Sequence, residues 1–345
     1  MIDVMTISAD PAADQVSGTN RSVDRTIRWG ILATGRIAAT FATDLALVTG
    51  TELAAVGSRR PEAARDFADR FGGARAHGSY EELAADPDVD VIYVATPHSR
   101  HVEDVMTCFE AGKAVLCEKA LTMNVANTDT LIGEARSRGL FFAEAMWMRT
   151  NPAIRRLLRL VEKGACGTVG QVRAELGFAA PRDRARLWDP TLGASALLDV
   201  GIYPLTFAHL VLGEPATISA AGTKSPEGID INAGATLTYA SGAVASIAWN
   251  QVAQSDNRAS ISGDQGRIEV PARFHHPTSF TYARGNDVET ITEPVTGRGY
   301  AHEIEEVASC LHAGRTESAL LPLEETLSLM RQMTEILDQL GVAPR

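Results

Sequence analysis

From residue 26 onward, short apolar runs alternate with amphipathic stretches of helical length. Arg28-Trp-Gly-Ile-Leu32 reads as a buried strand. The turn Ala33-Thr34-Gly35 follows, and Ile37, Ala38, Phe41 and Leu45 share one face of a helix. Leu53-Ala-Ala-Val-Gly57 is a second strand. Pro61 suits the first turn of the next helix, whose apolar stripe is Ala64, Phe67, Ala68 and Phe71. Ser79-Tyr-Glu-Glu82 has the form of a capping box. Val89 to Thr96 is continuously apolar, as in a central parallel strand covered on both faces. A helix to Gly112, a strand from Ala114 to Cys117, a helix to about Gly139 and a strand from Phe141 to Ala145 complete the rhythm. Strands and helices alternating in this way predict an α/β, doubly wound parallel sheet with right-handed connections.

After Met148 the period changes. Asn151-Pro152 caps a helix over Ala153 to Glu162, and short alternating segments dominate from Thr168 on. Ile231 to Tyr239 turns back through Ala240-Ser-Gly242 into Ala243 to Trp249. Ile261, Arg267 to Val270, Ser279 to Ala283 and Glu289 to Thr292 continue the pattern, which predicts a mostly antiparallel sheet with one open face. Helical stretches His302 to Ala313 and Leu323 to Leu340 close the chain. The expected division is a disordered leader at 1–25, a dinucleotide-binding domain at 26–147, and a substrate-binding and oligomerisation domain at 148–345. The last helices should pack back on the first domain.

The full chain of 345 residues has room for two domains and a sizeable core. A net charge of −11 argues against broad nucleic-acid or anionic-membrane binding. The four cysteines, Cys108, Cys117, Cys166 and Cys310, have no C-x-x-C spacing, so neither a metal site nor a disulfide frame is expected. No run approaches a membrane span, and the first 25 residues lack the apolar core of a signal peptide. A cytoplasmic protein is the expectation.

The first turn carries the candidate chemistry. Strand, tight turn and helix N-terminus form the arrangement that holds a dinucleotide pyrophosphate, whose usual fingerprint is G-x-G-x-x-G/A. Here it reads Ala33-x-Gly35-x-x-Ala38, with alanine at the first position. In such a sheet ligands gather beyond the strand ends, which carry Ser58-Arg59-Arg60, Thr96-Pro97-His98, Glu118-Lys119 and Glu144. The expected cofactor contacts are Ala33, Thr34, Gly35, Arg36, Ile37, Ser58, Arg59, Arg60, Thr96, Pro97, His98, His101, Glu118 and Lys119. An NAD site places Asp or Glu at the second strand end, whereas this chain has a hydroxyl and two guanidinium groups suited to a 2′-phosphate. NADP is therefore preferred, a solvated arginine pair being the alternative. His98 fits equally well as a cofactor contact or a hydrogen-bonded loop residue.

Lys119 ends an apolar strand, where an ammonium is readily tuned. Asp199 and Tyr203 stand four apart, on one face if a helix begins near Asp199, although Asp199 also suits a helix N-cap. A tyrosine facing Lys119 would have its pKa lowered and could exchange a proton. Trp147, Phe178, Trp188, Trp249, Phe274 and Phe280 are candidate pocket walls, Trp147 foremost.

Ala33-Thr-Gly-Arg-Ile-Ala38, Glu118-Lys-Ala120 and Asp199-Val-Gly-Ile-Tyr203 resemble the G-x-G-x-x-A, E-K-P and D-x-G-x-[YH] motifs of the glucose–fructose oxidoreductase / inositol dehydrogenase / rhizopine-catabolism family. The likeness runs from Ile27 to the C-terminal helix. Glu144-Ala-Met-Trp-Met-Arg149, Gly263 to Pro271 and Thr316 to Pro322 resemble its dimeric dihydrodiol dehydrogenase / NADP-dependent D-xylose dehydrogenase branch. The resemblance implies an oxidoreductase acting on an aldose sugar or trans-dihydrodiol. Lys119 would hold the substrate hydroxyl, Tyr203 would be the acid/base, and Asp199 the orienting group; Trp147 is expected beside the substrate from its place after the strand ending near Glu144. A keto-sugar or carbonyl reductase, or a non-catalytic NADP(H) sensor, are the alternatives, and a sensor has no need of the Lys119–Asp199–Tyr203 set. The resemblance also implies a homodimer or higher oligomer through the open sheet. Ala120 replaces the family proline, which implies a trans peptide after Lys119 and a slightly shifted loop.

Overall fold

The computed structural model describes residues 25–342, so the expected leader lies, but for Arg25, outside the described residues. Six parallel strands form the first sheet: β1 (Ile27–Leu32), β2 (Thr51–Gly57), β3 (Arg75–His77), β4 (Val91–Val94), β5 (Ala114–Glu118) and β6 (Phe142–Ala145). Their order is β3-β2-β1-β4-β5-β6. The chain reverses its direction of travel across the sheet between β1 and β4, which opens a crevice at their carboxyl ends. Strand β3 had no counterpart in the hydrophobic pattern, because three residues are too few to show a period.

The connecting helices are α1 (Arg36–Leu45), α2 (Pro61–Arg70), α3 (Tyr80–Ala84), α4 (His101–Glu110) and α5 (Val125–Arg138). Helix α1 buries Ala38, Phe41 and Leu45 of its predicted stripe, with Ala42 and Asp44 beside them, whereas Ile37 stays half-buried. At α3, Ser79 Oγ accepts the Glu82 N–H at 3.1 Å, whereas Glu82 reaches the Gly78 N–H at 2.9 Å, one residue earlier than a strict capping box.

Eight strands form the second sheet: β7 (Val169–Gly177), β8 (Thr217–Lys224), β9 (Asp230–Thr238), β10 (Val244–Asn250), β11 (Ala259–Gly263), β12 (Arg267–Val270), β13 (Ser279–Arg284) and β14 (Asp287–Thr292). The order is β14-β13-β12-β11-β7-β10-β9-β8, and only the β7–β10 pair is parallel. Inward Val172, Ala174 and Leu176 on β7 alternate with outward Arg173 and Glu175, leaving one face uncovered. Helices α6 (Pro152–Glu162) and α8 (Ile202–Leu212) pack on the other face. A short α7 (Ala185–Trp188) lies in the loop after β7. Of the last two helices, α9 (Ala301–His312) packs on α1, and α10 (Leu323–Gln339) on α5 and β6 as well as β8. The closing helices thus tie the two sheets together.

One segment corrects the hydropathy reading. Pro190–Leu212 is long and apolar enough to cross a membrane by length and composition, but 83% of its apolar window is buried inside the protein. It contains α8, packed against β7 and β10, and its apolarity is that of a core helix wrapped on all sides.

Candidate active site

The crevice is a cleft of about 400 Å³ that runs from the N-terminus of α1 to the segment before α8. A larger hollow of about 740 Å³ lies on the open face of the second sheet, but it holds none of the groups that meet in the cleft.

At the nucleotide end, Ala33, Gly35, Arg36 and Ile37 line the cleft. The first bond of α1 runs from the Ala39 N–H to the Gly35 carbonyl at 3.1 Å, so the N–H groups of Arg36, Ile37 and Ala38 have no helical acceptor. A Cβ on Gly35 would meet nothing within 4 Å. Ala33 occupies the left-handed region at φ 85, which the usual glycine adopts without penalty. Arg59 lines the same end beside Tyr80, and Thr96 presents a buried hydroxyl with no partner among the described residues. Free helical N–H groups, open space over Gly35, two exposed guanidinium groups and an unpaired hydroxyl fit a phosphorylated dinucleotide.

Several expected contacts lie elsewhere. Thr34 is not part of the cleft wall. Ser58 is buried and accepts the Arg60 N–H at 3.3 Å, and Arg60 is the exposed residue preceding α2. His101 is wholly buried behind the wall, where Nε2 meets the Thr96 carbonyl at 2.9 Å and Nδ1 meets the carbonyls of Ala120 and Leu121. Those contacts grip the loop after Lys119 from behind. The Lys119–Ala120 peptide is cis, contrary to the expectation of trans. Its neighbouring carbonyls are held by His101 and by His98 Nε2, 3.2 Å from the Lys119 oxygen.

His98 does line the cleft, with Nδ1 3.1 Å from the Gly193 carbonyl. It is thus a hydrogen-bonded loop residue that also faces the site. Burial lowers its pKa to about 4, with His101 and Lys119 acting in the same direction.

Lys119, Asp199 and Tyr203 meet at the closed end. Lys119 Nζ donates to the Asp199 backbone carbonyl at 2.5 Å, stands 3.5 Å from Asp199 Oδ1, and lies 5.0 Å from the centre of the Tyr203 ring. Asp199 is not a helix N-cap. It sits in a π-helical turn, Leu197–Gly201, that leads into α8 and brings Asp199 and Tyr203 to the cleft together. Burial alone pushes the Asp199 carboxyl up, but Lys119 and Arg186 outweigh it and hold it well below the usual carboxylate range. Burial likewise pulls the Lys119 ammonium down, yet Tyr203, Asp199 and Glu118 together hold its pKa above the ordinary value. Tyr203 reverses the expectation: burial pushes the phenol up, and Lys119 and the Trp147 N–H offset this only in part. Glu118 is raised by burial. Its Oε1 accepts from the Tyr93 hydroxyl and its Oε2 from the Lys119 N–H at 3.2 Å. At the end of β6, Glu144 accepts the Leu121 N–H at 2.9 Å and the Thr326 hydroxyl at 3.0 Å, which pins α10 to the same loop.

Trp147 is not in the cleft wall. It acts one layer back, donating from Nε1 to the Tyr203 hydroxyl at 2.7 Å and stacking on Tyr300 at 4.7 Å. Trp249, Phe274 and Phe280 are core side chains, and Phe178 and Trp188 pack in a small cluster under the loop before α8. None of these five lines the cleft.

Five residues of the cleft wall, Thr40, Tyr80, Ala95, Arg186 and Tyr300, escaped the sequence reading as site residues, and two of them bear on its catalytic end. Tyr300 is set in place by Asp44, whose carboxylate accepts the N–H groups of Arg298, Tyr300 and Ala301. An acidic residue on the apolar stripe of α1 was the available signal. Arg186, on α7, bonds Asp199 Oδ1 at 2.7 Å, and nothing in its local sequence marks it.

Two protein-family profiles match the chain. One, described as the oxidoreductase family, NAD-binding Rossmann fold, covers residues 27–145, and one, the GFO/IDH/MocA C-terminal domain, covers residues 154–269. A trans-1,2-dihydrobenzene-1,2-diol dehydrogenase of Bos taurus is 37% identical over 329 residues, spanning 92% of this chain and 97% of its own. A D-xylose 1-dehydrogenase (NADP(+)) of Hypocrea jecorina is 34% identical, over 92% of this chain and 93% of its own. The 3-ketoreductase KijD10 of Actinomadura kijaniata, solved with NADP and TDP-benzene, superposes with a TM-score of 0.81 at 26% identity, covering 92% of this chain and 98% of that one.

Proposed function

Because the chain belongs to the GFO/IDH/MocA oxidoreductase family, we propose that it is an NADP-dependent dehydrogenase that reversibly oxidises a hydroxyl of an aldose sugar or a trans-dihydrodiol. The observation that carries this reading is the Lys119 ammonium held between the Asp199 carbonyl and the Tyr203 ring at the closed end of a dinucleotide cleft. The nicotinamide, when bound, supplies the acceptor for the two electrons and hydrogen leaving carbon. This chain's own residues manage the other hydrogen. Tyr203 takes the proton from the reacting hydroxyl as the C–O bond becomes a carbonyl, and returns it in the reverse direction. Lys119 holds the substrate oxygen and stabilises negative charge on it and on the phenolate. Asp199 fixes Lys119, and the Trp147 N–H bonded to the Tyr203 hydroxyl stabilises the phenolate from the other side.

Arg59, with Arg36 at the same end, takes the 2′-phosphate, and the Arg36–Ala38 N–H groups take the pyrophosphate. Residues 26–147 act as the nucleotide domain and residues 148–345 as the substrate domain. The uncovered sheet face, with its hollow of about 740 Å³, pairs two copies. Four buried free thiols suit a cytoplasmic protein. The likeness to KijD10 favours a keto-sugar reductase as the second reading. Nicotinamide absorbance with NADP and NAD, against aldoses, polyols, trans-diols and keto-sugars, is the test. Turnover with NADP and an aldose or diol is expected. NADP(H) binding without turnover of any compound would replace the catalytic reading with a sensor.

A further inference from the structure

Asp199 has two cationic neighbours, and they are not equivalent. Arg186 Nη1 donates to Oδ1 at 2.7 Å with Nη2 at 3.5 Å from Oδ2, whereas Lys119 Nζ stands 3.5 Å from Oδ1 and makes its short bond to the backbone oxygen of the same residue. The shorter hydrogen bond to the carboxylate therefore belongs to a residue from another element, the short helix in the loop after β7. Arg186 itself has no other carboxylate partner among the described residues, and its side chain remains 49% exposed at the cleft. That loop is anchored close by, because the Gly193 carbonyl contacts His98 and the Arg182 guanidinium lies 3.6 Å over the Trp188 ring.

We propose that Arg186 is a positioning residue of the active site: it holds the Asp199 carboxylate, keeps it from closing onto the Lys119 ammonium, and so leaves Lys119 directed at Tyr203 and the substrate oxygen. This rests on the catalytic reading above. An ammonium has three donors. One is used on the Asp199 backbone oxygen, and a second, now 3.5 Å from Oδ1, would be drawn closer to the carboxylate if Arg186 did not share that oxygen. Arg186 also sets the charge around the phenol. The groups facing Tyr203 are Lys119 and Glu118 at the end of β5, Asp199 in the π-helical turn, Arg186 on α7, His275 before β13 with its ring 4.9 Å away, and Tyr300 before α9. Removing Arg186 leaves one ammonium against two carboxyl groups, which makes the Tyr203 proton harder to remove.

The test is the pH–rate profile of sugar or diol oxidation by the full chain with NADP, for wild type, R186Q and R186K, alongside NADPH binding by fluorescence. R186Q is expected to move the rising limb to higher pH by about one unit, so that turnover falls about tenfold at a fixed neutral pH and recovers in alkali. NADPH binding should stay within a few-fold of wild type, since Arg186 lies at the opposite end of the cleft from Arg59. R186K, which keeps the charge, should keep the position of the profile; judged alone, a shift in R186K like that expected of a neutral residue overturns the proposal. A loss in R186Q by one factor at every pH, or no loss, also overturns it. A wild type that turns over no compound of the panel refutes the catalytic reading and this one with it. An active wild type with a pH-independent ratio to R186Q refutes this one alone.

Discussion

The two ends of the cleft are built on opposite plans. The nucleotide end comes from contiguous chain, with Ala33 to Ile37 forming one turn and Arg59 following the next strand, and its guanidinium groups, Arg36 and Arg59, lie in exposed residues without a carboxylate partner among the described residues. The catalytic end is assembled from far apart. Lys119 and Asp199 are 80 positions distant, and the charged groups there are partnered before any ligand arrives, Asp199 and Glu118 buried and Arg186 half-exposed. The difference follows from what each must bind. A phosphate brings its own charge and needs only free donors. A neutral hydroxyl must be made acidic, which requires cations preorganised where water does not screen them.

The contrast breaks first at the catalytic end. Tyr203→Phe should lower turnover by about 10²–10⁴-fold and leave NADPH fluorescence titrations unchanged; retained turnover would remove Tyr203 as the acid/base. At the open end, Arg59→Ala should raise the KM for NADP by roughly 10–100-fold, the scale of a lost charge-assisted contact, with little change for NAD. Steady-state kinetics with both nucleotides decides it, and equal losses would refute a 2′-phosphate role.

Between the two ends, His98 carries a pH effect on stability. Its folded pKa is about 4 against 6.5 for the free side chain, so below pH 6.5 the unfolded chain binds a proton that the folded protein excludes. Stability should therefore be complete above about pH 6.5 and decline as the pH falls toward 4, in the window set by those two values. Denaturant unfolding across that range should show the decline, and His98→Asn should lessen it without removing it, because burial also lowers His101, His209, His275 and His276. The smallest effect is expected at the turn itself. Ala33→Gly removes the left-handed alanine at φ 85 and should raise the unfolding temperature slightly, for a gain of about 0.5–1 kcal/mol, with nucleotide binding kept or tightened. A fall in thermal stability would show that the turn tolerates the Cβ.

These expectations divide along the same line as the cleft. The parallel and antiparallel sheets were legible because both obey short periods. The apolar run from Val89 to Thr96 became β4 and the wall after it, and the alternation from Ile231 to Trp249 became β9 and β10. Asp199 and Tyr203 were legible as a spaced pair, although the turn that presents them is π-helical rather than an N-cap. His101 and Trp147 were placed in the site by sequence and lie one layer behind it, His101 holding the Lys119 loop and Trp147 the Tyr203 hydroxyl.

What this chain's sequence determined by itself is whatever depends on neighbours along it: two kinds of sheet, a tight strand–helix turn with alanine in the glycine place, and strand ends carrying lysine and arginine. Only the tertiary structure decided the electrostatics. Burial raises Tyr203 where an adjacent lysine alone would have lowered it, and Arg186 reaches Asp199 from a loop without any periodic signal. Asp44 turns a helix face into the clamp that sets Tyr300. Desolvation and long-range pairing depend on what the folded chain places around a group, and spacing along the sequence does not encode that.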